Sequence, residues 1–106
     1  MSHKIISEEN KKTVKKAALR LRAYNHKLRQ QMIEIMLQSK KPEGITVTDM
    51  YVELKIEQSV CSNHLGILRK AEMVIAKRNG KSISYSANIE VLNNIIDLSL
   101  ALTLVH

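Results

Sequence analysis

The fold of this chain is decided by residues 45–88, which read ITVTDMYVELKIEQSVCSNHLGILRKAEMVIAKRNGKSISYSAN. Hydrophobic periodicity predicts two short helices in the first part of this stretch, at about residues 48–55 and from Glu57 or Gln58 to about Ala71. Two strands are predicted next, on either side of Asn79 and Gly80. The stretch therefore predicts the order helix, turn, helix and hairpin.

The second of these helices has two distinct sides. Cys61, Leu65 and Leu68 follow the spacing i, i+4 and i+7, which predicts one buried stripe. The opposite side carries polar side chains that donate and accept hydrogen bonds, namely Gln58, Ser59, Ser62 and Asn63. These side chains are short enough to let a helix enter the major groove of DNA deeply. The composition is typical of a recognition helix.

The hairpin is basic and has a strong turn signal. Residues 74–78 and 81–86 flank Asn79-Gly80, the dipeptide best suited to a two-residue type I′ turn, because both central positions need positive φ. Lys77, Arg78 and Lys81 lie beside this turn. A basic hairpin directly after a polar helix is typical of the wing in a winged helix-turn-helix.

These two elements predict binding to double-stranded DNA. Gln58, Ser59, Ser62 and Asn63 are the candidates for contacts with base edges, and Val60 can meet a thymine methyl group. Lys77, Arg78 and Lys81 are expected to contact phosphates, with Arg69 and His64 as further candidates. His64 is equally consistent with a histidine partly buried against the preceding helix.

The rest of the chain predicts three more helices. They span about residues 8–22, 25–39 and 89–105, which makes the chain mainly α with a small β-hairpin wing in the order α-α-α-α-β-β-α. In the helix at 48–55, Met50, Val52 and Leu54 are expected to be buried. The last helix has apolar residues on nearly every side, so its own core or a partner chain must cover it.

Length and composition indicate one domain with a polyanionic partner. The 106 residues carry a net charge of +7 and have a pI near 9.7. Residues 1–41 contain eleven Lys and Arg against three Glu, a balance of +8. The chain has no Phe or Trp, which disfavours stacking on single-stranded bases.

A single cysteine rules out an internal disulfide, and without a signal peptide or a membrane span we expect a cytoplasmic protein.

Several motifs together resemble the ArsR family of winged-helix transcriptional regulators. The pattern Ser-x-His-Leu-x-x-Leu at residues 62–68, followed by a basic hairpin that ends at Tyr85, is fairly specific, and Arg29 with Met32 and Ile33 resembles the family's second helix. The resemblance covers about residues 19–98. It implies a homodimer, with residues 8–39 and 89–105 as dimerisation helices of a single domain spanning 1–106. Its interface residues would be Leu92, Ile95, Ile96 and Leu100. Because a compact binder of two DNA sites can act by occlusion alone, we expect a repressor.

The chain departs from the family pattern at two places. Glu72 stands where many members have glycine after the recognition helix, so this helix must end without the residue that most easily adopts the left-handed conformation. Thr46 and Thr48 stand where metal-sensing members have a Cys-x-Cys pair, and a threonine hydroxyl is a poor ligand for soft metals. We therefore expect no metal and no cofactor.

The sequence leaves alternatives to a DNA-binding repressor that has no effector. No residue pattern indicates an enzyme, because the chain lacks a nucleophile paired with a base and a phosphate-binding glycine loop. A winged-helix module that binds another protein is one alternative. A DNA-binding regulator controlled by an organic or protein effector is another, since an apolar pocket at a dimer interface leaves no motif. Cys61 is expected to be a small core residue.

Overall fold

The computed structural model describes residues 8–105, with side chains described at positions 11–97 and at Leu100. Five helices and three strands follow in the order α1 Glu8–Tyr24, α2 Lys27–Gln38, β1 Ile45–Thr46, α3 Val47–Leu54, α4 Gln58–Lys70, β2 Val74–Asn79, β3 Ser82–Ala87 and α5 Ile89–Val105. The predicted winged helix-turn-helix is confirmed. The observed order differs from the predicted one by the addition of β1.

The added strand completes a three-stranded antiparallel sheet. The strands lie in the order β1-β3-β2, with Ile45 opposite Tyr85 and Thr46 opposite Ser84. The strand β1 was not predicted, because two residues are too few to show an alternating pattern. The pairing ties the start of α3 to the wing.

The turn of the wing is displaced by one residue from its predicted position. Asn79 pairs with Ser82 as the last residue of β2, so the central turn residues are Gly80 and Lys81. Gly80 has a φ of 62°, whereas neither Asn79 nor Lys81 has a positive φ. A positive φ at the first central residue alone fits a type II′ turn, so the predicted type I′ turn on Asn79-Gly80 is wrong.

The helix α4 ends in a Schellman motif that uses a glutamate. Glu72 has a φ of 62°, its amide donates to the carbonyl of Arg69 at 2.9 Å, and the amide of Met73 donates to the carbonyl of Leu68 at 2.9 Å. Leu68 and Met73 are both fully buried, which supplies the apolar contact of this motif. Glu72 thus occupies the left-handed position that glycine usually takes.

The core is aliphatic and rich in methionine. Its fully buried large side chains are Met32, Met50, Leu65, Leu68, Met73 and Cys61. These residues join α2, α3, α4 and the start of β2 around one centre. Val52 is 63% exposed, so its predicted burial is wrong, and Leu54 is only partly buried. In α3 the buried direction is set by Met50, and a residue two positions later points about 200° away from it.

Candidate nucleic-acid interface

The helix α4 separates buried from exposed side chains as its sequence predicts. Cys61, Leu65 and Leu68 are at most 2% exposed. The polar side chains on the other side are all exposed, and Val60 is 40% exposed beside them. The exposed polar residues are Gln58, Ser59, Ser62 and Asn63. Their hydrogen-bonding groups are therefore accessible to a ligand along one face of the helix.

A groove runs between this face and the wing. It has a volume of about 320 Å³ and takes its lining from three parts of the fold. Its lining residues are Thr46, Val47, Thr48, Ser62, Leu65, Lys81, Ser82, Ile83 and Tyr85. The groove places the ammonium group of Lys81 and several hydroxyl groups on one concave surface. Such a surface suits a polar, anionic ligand.

A second basic cleft lies between the wing and the end of α4. Arg69 from the last turn of α4 and Arg78 from β2 line this cleft of about 110 Å³ together with Ala76 and Ile83. The tertiary fold brings these two arginines together from positions nine residues apart. Guanidinium groups match the geometry of phosphate oxygens, so the cleft can receive a phosphate.

His64 points towards the junction of α1 and α2. Its Nδ1 lies 3.1 Å from Nη1 of Arg29, and its ring centroid lies 4.7 Å from that of His26. Because a guanidinium group only donates, Nδ1 of His64 accepts this hydrogen bond, and a neutral ring then carries its proton on Nε2. Burial lowers the pKa of His64, and the neighbouring His26 and Arg29 lower it further. The proposed contact of His64 with DNA can therefore come only from Nε2.

Arg29 also fastens the end of α1. Its Nε donates to the carbonyl of Ala23 at 2.6 Å, and its Nη2 donates to the carbonyl of Arg22 at 3.4 Å. Carbonyl groups in the last turn of a helix lack partners within the helix, and a cation there interacts favourably with the helix dipole. Arg29 thus connects the C-terminal end of α1 with the middle of α4 through His64.

Gly66 is a candidate that was not predicted from the sequence. It is exposed in the interior of α4, four and eight residues after Ser62 and Gln58 respectively, and an added Cβ would meet nothing within 4 Å. Helical spacing puts it on the same side as those two residues. A glycine inside a helix costs stability relative to alanine, so a close approach of a ligand is a physical reason for it. The signal in the sequence that could have identified Gly66 as a candidate was an isolated glycine inside a predicted helix.

Thr46 has a structural task that differs from metal binding. Its Oγ1 accepts a hydrogen bond from the amide of Asp49 at 3.2 Å and so caps the N-terminus of α3. No group of three or more His, Cys, Asp or Glu side chains able to hold a metal ion occurs in the described part of the chain. Burial raises the pKa of Cys61, which keeps its thiol protonated.

A separate apolar groove lies between α1, α2 and α5. It has a volume of about 350 Å³ and is lined by Tyr24, Ile33, Leu37, Leu92, Ile95, Ile96 and Leu100. Leu92 and Ile95 are only 8% and 5% exposed, because they pack into the core of their own chain. Ile96 and Leu100 are 55% and 58% exposed. Of the four predicted interface residues, these two therefore form the rim and the other two form the floor.

The helices do not have the properties of a membrane span in the part of the chain that the structure describes. None of those that the structure describes combines the length and the apolar content that crossing a bilayer requires. In α5, the exposed polar residues Asn93, Asn94 and Asp97 lie beside the apolar face.

Comparisons with known proteins identify the type of fold. No family model matches the chain, and no curated protein matches it. Among solved structures, HlyU from Vibrio cholerae is 26% identical, with a TM-score of 0.66 over 82% of this chain and 91% of that one. The transcriptional repressor PagR of Bacillus anthracis is also 26% identical, with a TM-score of 0.68 over 83% and 97% of the two chains.

A third structure covers more of the chain. It is the homodimeric winged helix-turn-helix DNA-binding domain of a possible ArsR-family transcriptional regulator from Mycobacterium bovis. Its TM-score is 0.74 over 97% of this chain and 90% of that one, at 17% identity. The chain therefore has the winged helix-turn-helix fold of these transcriptional regulators, and the polar face of α4 and the basic wing are further features in which it resembles ArsR-like proteins.

Proposed function

We propose that this protein is a homodimeric, sequence-specific DNA-binding transcriptional repressor that no metal controls. The observation that carries the proposal is the exposed polar face of α4, of which Ser62 lines one groove together with Lys81 of the wing. A helix of this composition fits the major groove, and the basic groups beside it fit the flanking phosphates. A compact DNA-binding dimer can repress by occupying its site.

Each candidate residue has a proposed role in this complex. We assign the contacts with base edges to Gln58, Ser59, Ser62 and Asn63, and an apolar contact with thymine to Val60. We assign the phosphate contacts to Lys77, Arg78, Lys81, Arg69 and the Nε2 group of His64. A regulator of this kind acts on chromosomal DNA, so the cytoplasm is the compartment that we propose.

The proposed dimer uses the apolar groove between α1, α2 and α5. Tyr24, Leu37, Ile96 and Leu100 expose between 38% and 58% of their surface around a floor of buried side chains. Removing such a contiguous apolar surface from water is favourable, and a second copy provides a matching surface through two-fold symmetry. We therefore propose that residues 8–39 and 89–105 contribute the dimerisation helices of one domain spanning residues 1–106.

The proposal is tested by selecting bound duplexes from a random DNA library. We expect enrichment of sites with two related halves about one helical turn apart, and an affinity that falls steeply as salt rises through counterion release. Equal or tighter binding to single strands, or no binding at low salt, would contradict DNA recognition. Stoichiometric zinc that releases the selected duplex would contradict the proposed independence from metals. Capture of a protein partner by the face of α4, without DNA binding, would favour a protein-interaction module.

A further inference from the structure

Glu72 connects the end of the recognition helix to α1. Its Oε1 accepts hydrogen bonds from Nη2 of Arg20 at 3.0 Å and from Nζ of Lys16 at 3.1 Å. Nε of Arg20 also donates to the carbonyl of Ala71 at 3.2 Å. Arg20 therefore holds both the last carbonyl of α4 and the side chain that follows it.

The same short segment is attached to α5. The carbonyl of Glu72 accepts a hydrogen bond from Nδ2 of Asn88 at 2.9 Å, and the amide of Asn88 donates to the carbonyl of Met73 at 2.9 Å. Asn88 in turn caps α5, because its Oδ1 accepts from the amide of Val91 at 3.4 Å. One residue thus joins the N-terminal end of α5 to the point where α4 ends and β2 soon begins.

The three charged groups at this joint contribute unequally. The side chain of Arg20 is 16% exposed, whereas that of Lys16 is 57% exposed. Solvent and salt weaken the interaction of exposed ion pairs much more than that of partly buried ones. Arg20 also places its positive charge at the C-terminal end of α4, where the helix dipole favours a cation. Arg20 is therefore the side chain that fixes this joint most firmly.

The conformation of Glu72 points to a task for its side chain. A left-handed φ of 62° is unfavourable for any residue other than glycine, and glycine would end α4 without this strain. Strain at one residue persists when its surroundings hold that residue in place. At Glu72 the surroundings are the hydrogen bonds to Arg20, Lys16 and Asn88, which a glycine could make only in part.

We infer that Arg20, acting through Glu72, is a positioning residue that sets the distance and orientation between the two recognition helices of the dimer. The inference rests on the proposed function, in which α1 and α5 form the dimer and α4 reads DNA. Because the joint links α4 to both dimerisation helices, a fixed joint gives a fixed separation of the two recognition helices. A loosened joint lets each α4 pivot on its own protomer.

The experiment measures tolerance of the half-site spacing. We use the duplex selected by the wild-type protein and a second duplex with one base pair inserted between the half-sites. The insertion moves one half-site by about 3.4 Å and rotates it by about 34°. We expect the wild-type protein to lose about tenfold in affinity, which is the scale of one mismatched position. Arg20→Met and Glu72→Ala should each lose about threefold or less in affinity, because each removes the contact between the two side chains and the joint then adapts.

Two further variants separate positioning from general stability. Lys55 ends α3 with the same left-handed conformation, at a φ of 57°, and no ion pair of Lys55 is found among the described residues. Lys55→Gly changes the strain at a comparable helix end, and it should keep the tenfold penalty of the wild-type protein. The double variant Arg20→Met with Glu72→Ala should match Arg20→Met, because the change at Arg20 already removes the contact between the two side chains.

The outcomes distinguish the inference from the function on which it rests. If the wild-type protein selects paired half-sites but both single variants keep the tenfold penalty, the positioning role is overturned and the proposed function stands. If the wild-type protein selects no paired sites, the proposed function fails and the inference falls with it. Glu72→Ala removes an exposed side chain, so it provides a folded variant without the contact even if Arg20→Met unfolds. A claim that Arg20 acts on the recognition helices requires direct evidence of coupling, and a change of the spacing penalty in these variants is such evidence.

Discussion

Replacing Gly44 by alanine should disrupt the pairing between β1 and the wing. Gly44 has a φ of 99°, and a Cβ added there would lie 2.5 Å from the carbonyl oxygen of Tyr85 and 2.8 Å from its carbonyl carbon. Tyr85 cannot move away freely, because it lies in the central strand and pairs with both Ile45 and Ala76. The unfavourable φ costs about 1–2 kcal/mol, and the displaced backbone adds a similar amount. We expect Gly44→Ala to lower the free energy of unfolding by about 3 kcal/mol.

The matched control is Gly66→Ala. Gly66 lies inside α4 with nothing within 4 Å of an added Cβ, so alanine should raise the free energy of unfolding by about 0.5–1 kcal/mol. Thermal denaturation at fixed protein concentration should then show Gly44→Ala melting roughly 10–20 °C below the wild-type protein and Gly66→Ala a few degrees above it. A Gly44→Ala protein within about 0.5 kcal/mol of the wild-type protein in urea denaturation would refute this reasoning.

The remaining predictions concern DNA reading, assembly and pH. Asn63→Ala should cost roughly 1–3 kcal/mol of binding free energy on the selected duplex and relax the base preference at one position in each half-site. Arg78→Ala should weaken binding to all duplexes equally and lower the slope of log affinity against log salt by about one unit for each phosphate that the variant leaves unneutralised. Anisotropy measurements with both variants will show these effects. Ile96→Asp should destabilise the dimer by about 3 kcal/mol, which sedimentation should show as a rise of roughly a hundredfold in the dissociation constant. The control is Val52→Asp, at an exposed site outside the apolar groove, and it should leave the dimer intact. Because the pKa of His64 is lowered in the folded protein, the unfolded chain binds a proton at this residue more readily. The contribution of His64 to the free energy of folding is therefore complete above its unfolded pKa. It is lost as the pH falls from there through its folded pKa. Denaturation across this range should show a weaker pH dependence for His64→Gln, which keeps an acceptor for Arg29 but does not titrate; an unchanged dependence would contradict the assignment.

Local patterns in the sequence are sufficient for most of the fold. The spacing of Cys61, Leu65 and Leu68 identifies the buried side of α4, because helical geometry alone decides which side chains share a face. The same geometry identifies the exposed polar side without knowledge of its neighbours. The hairpin was also predictable, since the turn residues and the strands on either side are adjacent in the chain.

Other features follow only from contacts between distant parts of the chain. The strand β1 exists because Ile45 finds Tyr85, forty residues later, and two residues carry no pattern of their own. The turn lies one residue further along than predicted because Asn79 pairs with Ser82 in the register of the whole sheet, which overrides the local preference of Asn79-Gly80. The exposure of Val52 likewise depends on which neighbours α3 meets.

The sequence by itself determined the order of the elements other than β1, the polar face of α4 and the basic wing, because each depends on residues close together in the chain. Only the tertiary structure decided that Arg29 meets His64 and that Arg20 meets Glu72, at separations of 35 and 52 residues. It also decided that Leu92 and Ile95 pack inside their own chain while Ile96 and Leu100 stay exposed. Apolar side chains that occur on nearly every side of a helix are sorted by the shape of the surface on which the helix packs, and that surface exists only in the folded protein.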